Sequence, residues 1–188
     1  MSPYAEFSYA IPMITIRTER LTLREAETAD APFLLNLMNQ PDWLQYIGDR
    51  QIHSVQAAEE YILKKLKASY EQLGFGLLII ERMNDGRQLG LCGLIKRPQL
   101  MFPDIGYALH SDFYGFGYAF EAAQGIMADA RAMKIGKLLA ITLPHNERSV
   151  HLLKKLGMSL EGPTRLEGDS ELLHLYGCEL DDGRTIEV

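Results

Sequence analysis

The stretch that decides the fold runs from residue 104 to residue 122 and reads DIGYALHSDFYGFGYAFEA. Its first six residues, Asp104–Leu109, have the composition of a short strand, and a turn with two glycines follows them. A helix is predicted from about 118 to 134, because small and apolar residues recur there at helical spacing. Another strand is predicted at 138–143. A strand, a helix and a strand in this order form a crossover, so the two strands should be parallel.

The rest of the chain predicts antiparallel strands and further helices around this unit. In chain order, the other predicted elements are a strand or strand pair at 13–24, a helix from Thr28 to a stop at Pro41, a helix capped by Ser54 and ended by Gly74, a hairpin of strands at 75–80 and 89–95, a helix at 146–157, and strands near 158–161 and 172–179. The predicted class is therefore α/β (α+β), with a mixed, mostly antiparallel sheet and helices on both faces. We expect a tail at 1–12 and a single domain at 13–182.

The composition excludes several classes of protein. The 188-residue chain has a formal net charge of −6, whereas non-specific nucleic-acid binding needs a basic surface. No stretch is long and apolar enough to predict a membrane span or a membrane partner. Cys92 and Cys178 are isolated in apolar stretches, which is typical of reduced cysteines in a cytoplasmic protein. The five histidines occur at no metal-ligand spacing, so no metal site is predicted.

The two glycines of the central turn, Gly115 and Gly117, predict a place where an anion can bind. Backbone N–H groups at a helix start have no partner within the helix, and glycines let an anion approach them. A dinucleotide-binding fingerprint would need a third glycine at the position of Phe120, and no Walker lysine follows the turn. On the glycines alone, a tight turn with positive φ is the simpler interpretation.

Three blocks of sequence carry a resemblance to a known family. The first joins Ile105-Gly106-Tyr107 to residues 114–122, and the second runs from Asn146 through Gly157 to Glu161-Gly162. The third is the opening segment TERLTLR at 18–24. Together they resemble the GNAT superfamily of N-acetyltransferases, and in particular the RimJ/RimL-like branch that acetylates ribosomal-protein N-termini. The resemblance covers nearly the whole chain, in order.

The resemblance implies that acetyl-CoA is the cosubstrate and assigns the residues that bind it. These residues are Tyr107, Ala108, Leu109, Gly115, Phe116, Gly117, Tyr118, Ala119, Asn146 and Ser149. Two positions depart from the family pattern: Asp112 stands where Gln or Arg is common, and Phe116 stands where a basic residue is common. The turn itself therefore offers backbone N–H groups, and no cationic side chain, to the pyrophosphate.

The resemblance also implies catalytic roles. Backbone N–H groups near 107–109 would stabilise the oxyanion. Leu153 occupies the position of the tyrosine that acts as the general acid in much of the superfamily, and leucine cannot donate a proton. Ser149 is therefore the implied proton donor to the thiolate. The alternative is that Ser149 only forms a hydrogen bond with the backbone in the first turn of its helix. Asp104 and Glu25 are the possible bases for the amine. The alternative for Asp104 is that it merely flanks a strand.

The acceptor side is expected to involve the last strands together with the first two helices and their loop, where Trp43, Tyr46, Asp49 and Arg50 lie. Exposed acids there would suit a cationic amine, whereas Trp43 has a core role as its simpler interpretation. The predicted function is acetyl transfer to a primary amine, with the N-terminal α-amine of a protein among the acceptors. One alternative is a small-molecule amine acceptor such as a polyamine, an amino-acid derivative or an antibiotic. The others are a catalytically weak CoA-binding sensor or scaffold and an unrelated phosphate-binding domain. The sequence carries no signal of oligomeric state.

Overall fold

The computed structural model describes residues 13–166 and 171–180. The tail predicted at 1–12 and the last two residues of the predicted domain lie outside them. The strands are β1 Thr15–Arg17, β2 Leu21–Arg24, β3 Leu77–Arg82, β4 Gln88–Ile95, β5 Asp104–Leu109, β6 Lys137–Thr142, β7 Ser159–Thr164 and β8 Leu173–Glu179. The helices are α1 Ala31–Met38, α2 Pro41–Tyr46, α3 Val55–Tyr61, α4 Ala68–Leu73, α5 Tyr118–Ala132 and α6 Glu147–Lys155, with a π-helical segment Ile62–Lys67 between α3 and α4.

The eight strands form one mixed sheet in the order β1-β2-β3-β4-β5-β6-β8-β7. Every neighbouring pair is antiparallel except β5 and β6, which are parallel and joined by α5. This confirms the predicted crossover and the mixed, mostly antiparallel sheet. Residues 13–24, predicted as a strand or a strand pair, form the antiparallel pair β1–β2.

The middle of the sheet is covered on both faces. Successive side chains of a strand point to opposite faces, so a run of consecutive buried residues requires cover on each side. Such runs occur at Leu78–Ile80 in β3 and at Leu89–Leu94 in β4. The helix α5 packs on the sheet near β1, where Gly125 lies close to Thr18 and Ile16. No helix in the described ranges has the length and apolarity needed to cross a membrane.

The helix boundaries follow the predicted capping residues. The Ser54 side chain accepts a hydrogen bond from the Ala57 N–H (3.1 Å) and caps α3. Gly74, with φ of +72°, ends α4 in the left-handed conformation that glycine tolerates. Asn146 caps α6 by accepting from the Ser149 N–H (3.2 Å). These caps fix where the helices begin and end relative to the sheet.

The structure differs from the sequence prediction at two places in the helices. Pro41 was predicted only as a stop, but it is also the first residue of the short helix α2, where proline needs no N–H partner. The second predicted helix contains the π-helical segment 62–67, and its buried face changes accordingly. A regular α-helix would place Leu73 on the buried stripe with Leu66, seven residues before it, but Leu73 is 43% exposed, whereas Tyr70 is buried. Because a π-helical turn contains more residues than an α-helical turn, the buried residues recur at every fourth position, at Ala58, Ile62, Leu66 and Tyr70.

The parallel strands β5 and β6 diverge toward their carboxyl ends. Their one register pair among the described residues is Asp104–Leu139, at the start of β5, where the Leu139 N–H donates to the Pro103 carbonyl (3.0 Å). Beyond this point β5 remains paired with β4 on one side, and the gap toward β6 opens. The gap places the carboxyl half of β5 and the start of α5 on the wall of a cleft.

Candidate functional site

A cleft of about 1480 Å³ occupies the gap between β5 and β6. Its walls come from β5, the glycine turn, the start of α5, β6 and α6, and from α2 and the π-helical segment on the opposite flank. All the predicted cofactor-binding residues line it except Phe116. That side chain is 61% exposed and stacks on the Tyr118 ring, with 5.9 Å between the ring centroids. The structure thus brings together residues from three separate blocks of sequence.

The carboxyl half of β5 presents two backbone donors to the cleft. The His110 N–H, just after β5, donates to the Leu89 carbonyl of β4 (2.8 Å). Because N–H groups alternate in direction along a strand, those of Tyr107 and Leu109 point away from β4 and toward β6. The strands have already diverged there, so among the described residues these two groups have no partner on β6. Donors in such a position can stabilise negative charge developing on a carbonyl oxygen.

The glycine turn forms a cradle at the start of α5. Gly115 and Gly117 have φ of +81° and +80°, a conformation that other residues rarely adopt. A Cβ at Gly115 would meet nothing within 4 Å, and one at Gly117 would meet only the Arg20 guanidinium, at 3.6 Å. Within the described chain, the N–H groups of residues 115–117 donate to no backbone carbonyl. Free donors above a 15-residue helix suit a phosphate group.

Three cationic side chains that sequence reasoning missed lie beside this cradle. Arg20, from the turn between β1 and β2, donates to the Phe116 carbonyl (3.2 Å) and to Glu121 of α5 (2.6 Å). The Arg148 guanidinium lies 4.6 Å from the Tyr114 ring centroid, and the Lys155 ammonium lies 4.1 Å from that of Phe120. Arg148 and Lys155 line the cleft.

The three-dimensional arrangement therefore brings cations to the turn. Arg20 is paired with Glu121 and Arg148 with Asp42, whereas Lys155 forms no ion pair among the described residues. The sequence contains a signal for two of these cations. Arg148 and Lys155 are seven residues apart, which places them on the same face of α6, the face toward the cleft. Arg20 had no such signal, because only the packing of the β1–β2 turn against α5 places it there.

A hydroxyl pair lies in the middle of the cleft wall. The Tyr107 hydroxyl and the Ser149 Oγ are 2.8 Å apart, and either can donate to the other. The Asn146 cap holds the backbone at Ser149. Burial raises the pKa of Tyr107 well above its ordinary value, with the Ser149 hydrogen bond opposing that rise, so this hydroxyl keeps its proton at neutral pH. Leu153, at the position of the superfamily's tyrosine, is 0% exposed and belongs to the core.

The predicted bases lie in different surroundings. Asp104 is 1% exposed at the start of β5 and accepts from Arg97 Nε (2.9 Å). Burial raises its pKa, and Arg97 opposes the rise. The Asp104 side chain reaches the cleft wall, so it stays a predicted base. Glu25 does not line the cleft, and its carboxylate accepts from the Ile14 N–H (2.9 Å).

The residues expected on the acceptor side separate into two groups. Tyr46 and Arg50 line the cleft, and so does Trp43, which is 6% exposed and packs in the core. Asp49 does not line the cleft, and its two oxygens accept from the Gln51 backbone and side chain (2.7 Å each). Asp42 of α2 does line the cleft and accepts from Arg148 (2.5 Å), so the expectation that an acid there binds a cationic amine stays a prediction. Within residues 13–166 and 171–180, no three His, Cys, Asp or Glu side chains cluster as metal ligands.

Comparisons with known proteins agree with this geometry. The N-acetyltransferase p20 of Bacillus licheniformis, described as uncharacterized, is 30% identical over 155 residues, which cover 81% of this chain and 86% of that protein. An acetyltransferase structure from Agrobacterium tumefaciens str. C58 matches with a TM-score of 0.74 and 27% identity, covering 93% of this chain and 98% of that one. The ribosomal L7/L12 α-N-protein acetyltransferase RimL, in complex with coenzyme A, matches with a TM-score of 0.73 and 20% identity, covering 90% and 99%.

The match to a family spans most of the chain. Residues 20–159 match the family described as an acetyltransferase (GNAT) domain, and this range contains every residue assigned above to the cleft's cradle, its backbone donors and its hydroxyl pair. The chain therefore belongs to the GNAT family of acetyltransferases.

Proposed function

We propose that this protein transfers the acetyl group of acetyl-CoA to a primary amine in the cleft between β5 and β6. The observation that carries the proposal is the Tyr107–Ser149 hydroxyl pair, 2.8 Å apart, on the same wall as the two unpaired N–H groups of β5. The cleft thus combines proton donors with donors for an oxyanion. A GNAT acetyltransferase needs both, because the carbonyl oxygen gains negative charge and the thiolate must leave.

The residues present fit the cosubstrate. The cradle at Gly115 and Gly117 would hold the pyrophosphate, and Arg148 and Lys155 would face the remaining negative charge. Asn146 and the cleft-facing backbone of 107–109 would bind along the pantetheine arm. The coenzyme A complex of the structural neighbour RimL supports this assignment. When bound, acetyl-CoA supplies the activated acetyl group as a thioester.

The transfer balances with the groups on this wall. The neutral amine nitrogen attacks the thioester carbonyl carbon, so a C–N bond forms and the C–S bond breaks. The Ser149 proton moves to the departing sulfur, and the Tyr107 proton moves to Ser149. The proton released by the amine passes through water to a base and then to solvent, and solvent returns a proton to the Tyr107 hydroxyl. A thiolate with an ordinary pKa near ~8.5 is a tolerable leaving group, so a weak donor such as serine is sufficient.

Asp104 is the base that we propose for the amine. It is the one carboxylate of β5 that reaches the cleft, and its pKa is raised by burial. Two strand residues lie between it and Tyr107, a span of about 10 Å, so it would act through water. An α-amine, which titrates near ~8, needs little such help at neutral pH.

The N-terminal α-amine of a protein is the acceptor that we propose first. It is supported by the fold that the chain shares with ribosomal-protein acetyltransferases, among them RimL and the ribosomal-protein-S5-alanine acetyltransferase of Vibrio fischeri. It is also supported by the low demand that an α-amine places on a base.

Two measurements test the proposed function in sequence. Calorimetry with CoA should show binding, and its absence would remove both the acetyltransferase and a CoA sensor. Thiol release from acetyl-CoA would then be followed with a panel of peptides and small amines. Turnover with at least one amine is expected. CoA binding without turnover on any amine would instead favour a sensor, the alternative that the leucine at position 153 keeps open.

A further inference from the structure

The end of the cleft farthest from the glycine turn is strongly cationic. Five side chains of this cationic end line the cleft: Arg50, Lys64, Lys65, Lys96 and Arg97. Of the carboxylates that line the cleft, Asp104 lies at this end, whereas Asp42 and Glu147 lie beside Arg148, near the glycine turn. The whole chain has a formal net charge of −6, so this concentration of positive charge opposes the overall balance. Charge of one sign in a cleft attracts ligands of the other sign.

The position of the cationic end separates it from the site for the cosubstrate's phosphates. Lys96 and Arg97 follow β4 directly, and Ile95 pairs with Asp104 at the start of β5. The glycine turn follows the other end of β5. The strand itself therefore separates the two ends by about 17 Å. The phosphate end has its own cations in Lys155 and in Arg148, which also pairs with Asp42, so the cationic end is available to a second ligand.

Protein groups neutralise only part of this charge. Arg97 is paired with Asp104, Lys64 with Glu60, and the Lys96 ammonium donates to the Leu100 and Met101 carbonyls. Within the described residues, Arg50 and Lys65 form no ion pair or side-chain hydrogen bond. Burial raises the pKa of Tyr61, while the charges of Arg50 and Arg97 oppose that rise. Both guanidinium groups therefore act on the same stretch of cleft wall.

We infer that the acceptor is an amine whose own molecule carries a carboxylate, and that the cationic end binds this group. The inference rests on the proposed function and deepens it by naming the class of acceptor. Such an acceptor would place its amine near the middle of β5 and its anionic group toward Arg50 and Lys65. An acidic N-terminal peptide and a free amino acid share this chemistry. A polyamine does not, because every one of its charges would be repelled there.

Matched acceptors test the charge directly. Thiol release from acetyl-CoA would be compared for Ala-Glu-Glu and Ala-Gln-Gln peptides, for alanine and alaninamide, and for spermidine. We expect the carboxylate member of at least one pair to have a KM about tenfold lower, and its advantage to shrink as salt screens the charges. The pair that responds distinguishes a peptide from an amino acid. Equal KM values within both pairs, or a preference for spermidine, would overturn the inference.

Variants of the two unengaged cations test the site. Arg50→Gln with Lys65→Gln should raise the KM for the preferred carboxylate acceptor about fivefold and leave that for its amide nearly unchanged. The matched control is Arg131→Gln with Lys134→Gln, which removes the same charges from exposed positions outside the cleft. If the control raises the KM equally, net charge is the cause and the cationic end is not the site.

The outcomes separate this inference from the proposed function. No turnover with any amine would contradict the acetyltransferase proposal itself. If the amide member of each pair is acetylated with the same KM as its carboxylate partner, the acetyltransferase proposal stands and only the anionic acceptor is overturned. The affinity for CoA, measured by calorimetry, should be unchanged in the Arg50→Gln, Lys65→Gln variant. A large loss of CoA affinity would reassign these cations to the cosubstrate's phosphates.

Discussion

At the scale of single residues, Gly117 allows the sharpest test of the phosphate cradle. Its φ of +80° and the open space beside it make the approach of an anion possible. Glu at this position would place a carboxylate against the pyrophosphate, so Gly117→Glu should abolish CoA binding in calorimetry while the circular dichroism spectrum of the fold is retained. Unchanged CoA affinity would count against the cradle.

A second glycine provides the matched control for that variant. Gly86, in the turn between β3 and β4, has φ of +68° and nothing within 4 Å of a Cβ. Gly86→Glu therefore adds the same side chain at a residue with the same left-handed backbone conformation. We expect it to lower the free energy of unfolding by about 1–2 kcal/mol. It should reduce stability to a similar extent and leave CoA binding unchanged.

The Tyr107–Ser149 pair gives a prediction about rate. Ser149→Ala should lower kcat about a hundredfold, at the low end of the range for general acids, with CoA binding near normal. Tyr107→Phe should lower kcat by a smaller factor, because Ser149 keeps its own proton. Since the two hydroxyls act in one relay, the double variant should be no slower than Ser149→Ala. Losses that multiply would show that the two residues act independently.

The site could be predicted from the sequence only where local pattern defines it. The glycine turn and the Asn146 cap are local features, and the structure shows the positive φ values and the capping hydrogen bond that the sequence predicts. The Tyr107 hydroxyl contact with Ser149 joins residues 42 positions apart, and the Arg20 contact with Glu121 joins residues 101 positions apart. No periodicity encodes such contacts, because they depend on how the strands and helices pack.

At the scale of elements, α6 carries both the cap residue and the proposed acid. Asn146→Ala removes the acceptor for the Ser149 N–H, so it should cost about 1 kcal/mol of unfolding free energy. It should also lower kcat, because the first turn of α6 positions the serine hydroxyl. Asn146→Asp keeps an acceptor and should restore both quantities. Thermal denaturation and thiol release measure the two effects.

The control uses another cap of the same kind. Ser54 caps α3 through the Ala57 N–H, and it lies outside the cleft. Ser54→Ala should destabilise the protein by a similar amount, about 1 kcal/mol, without lowering kcat. If Asn146→Ala behaves in the same way, its role is structural alone.

The helices also show where sequence periodicity stops being informative. An ideal α-helix predicts that Leu73 continues the buried stripe of Leu66, but the π-helical segment rotates the later residues and buries Tyr70. The Tyr70 hydroxyl donates to the Leu77 carbonyl, just beyond the helix, and accepts from the Ala26 N–H, 44 positions away. A 3.6-residue period holds only for an uninterrupted α-helix. Tertiary contacts such as these override it where a π-helical turn adds a residue.

At the scale of the whole molecule, one buried ion cluster ties separate elements together. Asp30, after β2, accepts from both terminal nitrogens of Arg24 (2.8 Å each), from the Gln88 side chain of β4 (2.6 Å) and from the Glu27 N–H (2.7 Å). Arg24 also contacts Glu81 of β3 (2.6 Å). Burial alone would raise the pKa of Asp30, but these hydrogen bonds and the Arg24 charge outweigh it and hold the pKa below its usual value.

The lowered pKa has a definite consequence for stability against pH. A carboxylate whose pKa is lower in the folded state contributes stability that is fully present above its unfolded pKa of about 4 and is lost as pH falls below it. Asp30→Asn should therefore cost about 3 kcal/mol at pH 7, because it leaves the Arg24 charge short of a partner in a largely buried site. Urea unfolding of both proteins should show this difference shrinking between pH 5 and pH 3. A difference that stays constant over that range would mean that the Asp30 charge does not carry the stability.

The exposed pair of Glu60 and Lys64 is the control for this prediction. Glu60→Gln should change the free energy of unfolding little at either pH, because the pair is exposed to solvent.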